Sequence, residues 1–109
     1  MELREYVDEL GRSRYGRWFD SLDDQTAARV FQFLSRLREG NVSNVKSVGA
    51  GIFELRMDFG PGFRVYFARD GERLILLLTG GGKARQEQDI LQAKASWQSY
   101  KRRKVTGDR

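Results

Sequence analysis

The chain has 109 residues, 20 Lys and Arg against 15 Asp and Glu, a formal net charge of +5, and neither cysteine nor histidine. That length builds one hydrophobic core, and the missing residue types exclude disulfides, thiolate or imidazole metal sites and histidine-based acid–base chemistry. At 39% hydrophobic and 32% charged the composition is that of a folded domain, and the longest apolar run, Leu74 to Leu78, is far shorter than the ~20 residues of a membrane span.

Leu3 to Val7 predicts a short first strand, and the acidic N-terminal stretch MELREYVDEL has no apolar signal core, so a cytoplasmic protein is expected. From Ser13 onward Tyr15, Trp18, Phe19 and Leu22 recur at helical spacing, which predicts a short helix with an aromatic stripe toward the core. Ser21-Leu22-Asp23-Asp24 offers side-chain oxygens to cap a second helix, along which Ala27, Val30, Phe31, Leu34 and Leu37 keep the same period. Gly40 and Asn41 tolerate positive φ and end it, and the polar stretch 41–51 reads as a loop.

The period then changes to two. Phe53, Leu55, Met57 and Phe59 alternate with Glu54, Arg56 and Asp58, as a half-buried strand requires, and Gly60-Pro61-Gly62 makes a turn. The next strand sets Phe63, Val65 and Phe67 against Arg64 and Tyr66 on the other face, and Asp70-Gly71 is a hairpin signal. Leu74 to Leu78 is apolar on both faces and reads as an interior strand. Gly80-Gly81-Gly82 breaks it, and from Gln86 the residues Ile90, Ala93, Trp97 and Tyr100 return to helical spacing. The order is β-α-α-β-β-β-α, an α+β domain over residues 1–100 with a three-strand meander at its centre, followed by a basic, flexible tail over 101–109 that begins with the run Lys101 to Lys104.

Charge is unevenly spread: residues 1–54 carry 8 basic and 9 acidic side chains, whereas 55–109 carry 12 and 6. A surplus segregated in this way attracts nucleic acid or an acidic protein, and phosphodiesters are the substrates that suit guanidinium, ammonium, phenol and carboxylate groups. Across the GPG turn Arg56 and Arg64 fall diagonally on one face, about 7–8 Å apart at Cα, within reach of a shared phosphate. The competing arrangement ties them to Glu54 and Asp58 as surface ion pairs. Lys83 follows three glycines, where backbone lets a ligand approach and the next helix offers free N–H groups. Ala84 stands where a nucleotide-binding P-loop needs Ser or Thr, so no nucleotide cofactor is expected. RNA brings its own nucleophile, the 2′-OH, so its cleavage needs no metal. Arg and Lys neutralise the phosphorane, and Glu54, Tyr66 and Lys83 are the candidates for moving protons.

ELR at Glu54 to Arg56, GPGFRVYF at Gly60 to Phe67, LLLTGGGK at Leu76 to Lys83 and Q-x-x-D-I at Gln86 to Ile90 together resemble the RelE/HigB superfamily of bacterial toxins, and more narrowly the phage-derived addiction module killer proteins. The resemblance implies a small microbial RNase-like fold with a mostly antiparallel sheet. It also implies the toxin of a type II toxin–antitoxin pair, an mRNA interferase that cleaves translated messages on the ribosome. On that resemblance Arg64 matches the phosphate-contacting arginine, Arg56 a basic residue of the preceding strand, and Lys83 or Arg85 the basic position after the last strand. Gln86 joins them in the expected RNA-binding set. Glu54 stands where some RelE proteins have lysine, and neither the tyrosine early in the last helix of many RelE members nor the C-terminal histidine of some HigB proteins is present. The implied partners are a cognate antitoxin of the helix-turn-helix kind, mRNA and the ribosome, with no cofactor and no membrane. The same fold also hosts ParE-type gyrase poisons and inactive antitoxin-binding homologues. A generic RNA-binding domain would need exposed aromatic residues between its charges, and Tyr66 is the only obvious one.

Overall fold

A computed structural model describes residues 1–105, and its first two helices start where a side-chain oxygen meets an otherwise unpaired backbone N–H. Ser13 Oγ accepts from Gly16 N at 2.9 Å and opens α1, Arg14–Asp20. Asp23 Oδ1 accepts from Thr26 N at 2.8 Å and opens α2, Asp24–Arg38. Val30, Leu34 and Leu37 are the buried stripe of α2, whereas Phe31, expected in that stripe, is 59% exposed. At 100° per residue, position 31 lies a full turn-quarter away from the line that 30, 34 and 37 share. Gly40, at φ 96°, takes the chain out of α2 as expected.

Five strands form one sheet in the order β1-β5-β4-β3-β2. They are β1 (Glu2–Glu5), β2 (Val45–Gly49), β3 (Ile52–Arg56), β4 (Arg64–Asp70) and β5 (Leu74–Gly81). β1 runs parallel to β5 and all other pairs are antiparallel, so the architecture is α+β, compatible with the RelE-like expectation. β5 lies between β1 and β4 with helical cover on each face, which explains its apolar residues on both faces. β2 was expected to be loop: its only apolar side chains, Val45 and Val48, are half-buried on a polar edge strand, too sparse a pattern to announce a period of two.

Apolar clusters fill both sides of the sheet. Tyr15, Val30, Leu34, Leu37, Leu55, Val65 and Phe67 pack on the α1 and α2 side. Ile52, Tyr66, Leu76, Leu78 and Ala93 pack under α3, Gln86–Val105. The second layer overturns the half-buried reading of β3. Ile52 and Glu54 point to the face opposite Leu55, and both are buried because α3 covers them. α3 also runs on through Lys101 to Lys104, so the first part of the expected tail is helical to Val105; residues 106–109 of that tail lie outside the described residues. Among the described residues no helix is long and apolar enough to cross a membrane.

A register shift between β4 and β5 decides what the glycines do. Tyr66 opposes Thr79 and Phe67 opposes Leu77, so β5 carries one extra residue, Leu78, and its alternation is reset. Gly80 then lies against the Trp18 ring and Gly81 against the Asp89 carboxylate, each on its own side of the sheet.

Candidate functional site

Arg56 and Arg64 oppose each other directly in the β3–β4 register, rather than diagonally, and Arg64 opposes Gly81 on β5. Cross-strand partners share a face, so one row at the end of the sheet carries both arginines. The turn that joins them is closed by Met57 N donating to Phe63 O at 2.9 Å, and is tied to the end of β5 by Lys83 N donating to Pro61 O at 3.3 Å. A methyl group on Gly62 would meet Arg64 Nη1 at 3.2 Å and Lys83 Cβ at 3.6 Å, so these two residues flank one point of the turn. Arg64 Nη1 donates to Gly62 O at 2.6 Å. Arg56, Lys83 and Arg85 are exposed, and among the described residues Arg56 and Lys83 have no ion-pair partner. Arg85 Nε lies 3.9 Å from Asp89 Oδ1.

Behind this rim sits a buried polar group centred on Glu54, which is 1% exposed. Its Oε2 accepts from Tyr66 OH at 3.2 Å and from Gln86 Nε2 at 3.1 Å, and Arg64 Nε lies 3.6 Å away. Lys46 Nζ, on β2 directly opposite Glu54, approaches Oε1 at 3.9 Å. Burial, and then the Glu54 charge, push the Tyr66 phenol well above its ordinary range, so it remains a protonated donor. Neither Glu54 nor Tyr66 meets solvent, whereas Arg56 and Lys83 do. Gln86 is half-buried and spends its amide on Glu54 rather than on the rim. Arg64, 5% exposed, stands at the boundary between the two layers.

Strand alternation places Glu54, Arg56, Arg64 and Tyr66 on one face, as the sequence indicates. Missing from that reading were Lys46 and Asp89: the first lies on the unrecognised strand, and the second belongs to the aspartate of the Q-x-x-D-I segment, whose spacing from Gln86 is the only local signal that both reach the sheet. The glycine run is less open to ligands than expected, since Trp18 and Asp89 already occupy the space over Gly80 and Gly81.

Asp89 Oδ2 is buried with no hydrogen-bond partner among the described residues. Burial pushes its carboxyl up, against the opposing pull of Arg85 and then Arg14. A carboxyl raised in the folded state costs stability while it is ionised, and that cost fades as pH falls through its folded value. Asp89→Asn is therefore expected to be more stable than the parent chain at pH 7, with the difference shrinking in urea melts as the pH is taken down toward the ordinary carboxylate range. A difference that stays constant with pH would show that Asp89 is not ionised against its environment.

A protein-family model described as "Phage derived protein Gp49-like (DUF891)" matches residues 17–99, well over half of the chain. An uncharacterised protein of Haemophilus influenzae is 43% identical over 81 residues, which are 73% of this chain and 82% of the relative. Both arginines, Lys83 and the Glu54 group lie within the span that the family model covers.

Proposed function

The chain belongs to the phage-derived Gp49-like family, a toxin-type family of toxin–antitoxin modules, and from that premise we propose that it is a ribosome-dependent mRNA interferase that cuts RNA through the RNA's own 2′-OH. The observation that carries this reading is the pair of exposed cations, Arg56 and Lys83, without ion-pair partners among the described residues and brought to either side of Arg64 at one end of the sheet. In the proposed reaction the 2′ oxygen attacks phosphorus and loses its proton, the bond to the 5′ oxygen breaks, and that oxygen takes up a proton. The products are a 2′,3′-cyclic phosphate and a 5′-OH. Arg56 and Lys83 neutralise the phosphorane, and Arg64 presents the edge of its guanidinium from behind. With Glu54 and Tyr66 buried, Lys83 is the remaining candidate proton donor to the leaving oxygen, and water takes the 2′ proton. Arg85 extends the cationic rim along the RNA backbone. A cognate antitoxin with an acidic face would silence the site by covering Arg56, Lys83 and Arg85.

The test is induction in a bacterial host, with primer extension on translated messages and a gyrase–DNA cleavage assay in parallel. Cuts within codons that vanish when translation is blocked are the expected result. Trapped gyrase–DNA breaks with intact messages would replace the proposal with a gyrase poison of the same fold.

A further inference from the structure

Glu54 accepts from Tyr66 and Gln86, but a neutral acceptor would serve those two donors, so its charge is the feature that structure alone does not require. A carboxylate withdrawn from water between β3 and α3 is costly unless neighbours compensate it, and an apolar side chain there would be cheaper. The compensation is concentrated on one atom: Tyr66 OH, Gln86 Nε2 and Arg64 Nε all lie within 3.6 Å of Oε2. Tyr66 and Gln86 fix where that oxygen sits, one from the neighbouring strand and one from the first residue of α3. Arg64 is held from its other end by Gly62 O, at 2.6 Å from Nη1. Arg64 Nε makes no hydrogen bond, and its 3.6 Å approach to Oε2 is an ion pair, so the guanidinium is oriented by that charge contact at one edge and by the hydrogen bond to Gly62 O at the opposite end.

We infer that Glu54 is a positioning residue: it acts as the internal counter-ion that sets the plane of the Arg64 guanidinium, and through Gln86 it ties that plane to the start of α3. The inference rests on the reading of Arg64 as part of the phosphate site, and it replaces Glu54 as a proton carrier. Its signature separates orientation from simple charge. Removing a negative group beside a phosphate site raises the local positive potential, so by electrostatics alone RNA would bind more tightly and react no more slowly. Loss of orientation instead lowers kcat while leaving KM unchanged or improved.

The experiment compares the parent chain with Glu54→Gln, whose amide oxygen can still accept from Tyr66 and Gln86 while the charge facing Arg64 is gone. Two quantities are read on each: solvent exchange of the Arg64 Nε–H proton by NMR, and kcat and KM for a short message on programmed ribosomes. The expected result is exchange faster by about tenfold, as a local restraint is lost, and kcat lower by about tenfold to a hundredfold with KM no higher. Should Glu54→Gln fail to fold, Gln86→Ala, which removes one donor from the half-exposed side of the group, is expected to move the same two quantities in the same directions by less. Unchanged Arg64 exchange in a folded variant overturns the inference whatever the RNA result. Faster exchange with a parent chain that never cuts RNA overturns the interferase reading and leaves the Glu54–Arg64 coupling standing. Faster exchange with kcat unchanged or raised overturns the positioning role in the reaction.

Discussion

Arg56→Ala and Lys83→Ala are each expected to slow cleavage of a translated message by about a hundredfold, the cost of taking one preorganised charge away from a developing phosphorane. Both side chains are exposed and without ion-pair partners among the described residues, so neither variant should shift the urea midpoint by more than ~0.5 kcal/mol equivalent. Arg64→Ala is a different experiment. Its guanidinium is buried beside Glu54, and truncation leaves that carboxylate with only the exposed Lys46 at 3.9 Å as a cation nearby, so lost activity comes together with lost stability. The exposed pair therefore gives the cleaner reading of the site. Cleavage rates by primer extension and midpoints by urea titration, measured on the same preparations, check the prediction; full activity in both alanine variants would move the phosphate site elsewhere.

Gly80→Ala is expected to be strongly destabilising. The position a β-carbon would take at Gly80 is filled by the six-membered ring of Trp18, which packs into the cluster of Tyr15, Val65 and Phe67. Trp18 is half-buried at the edge of that cluster, and its whole ring must shift to admit one added methyl group, so destabilisation of about 3 kcal/mol is expected, with a fall in Tm of ~10 °C or more. Gly82→Ala is the control: its β-carbon would meet only Pro61 at 3.8 Å or beyond, and its φ of −90° suits any residue, so stability should be unchanged or slightly raised. Equal effects at the two positions would contradict the assignment of Gly80 to packing.

Much of this arrangement is legible in local pattern. Hydrophobic spacing gives α1, α2 and α3 and the β3–β4–β5 meander, and alternation gives Arg56 and Arg64 a common face, because each depends on neighbours a few residues away. What pattern does not give is which strand face a distant helix will cover. Glu54 reads as solvent-facing until α3, whose Gln86 is 32 residues further on, closes over it. The same holds for Tyr66, whose hydroxyl is satisfied by Glu54 across the hairpin. Gly80 and Gly81 read as a loop because the extra residue in β5, which turns one toward Trp18 and the other toward Asp89, shows only against the partner strand. Phe31 marks the reverse error: an aromatic residue at nearly helical spacing that remains exposed.

Mapping the ends of a defined message, translated in a reconstituted system with the purified chain added, tests the ribonuclease reading most directly. The account predicts cuts only in ribosome-engaged message, each leaving a 2′,3′-cyclic phosphate and a 5′-OH, with the same cuts greatly weakened for Lys83→Ala. An intact message, or breaks that carry a 5′-phosphate, would contradict it.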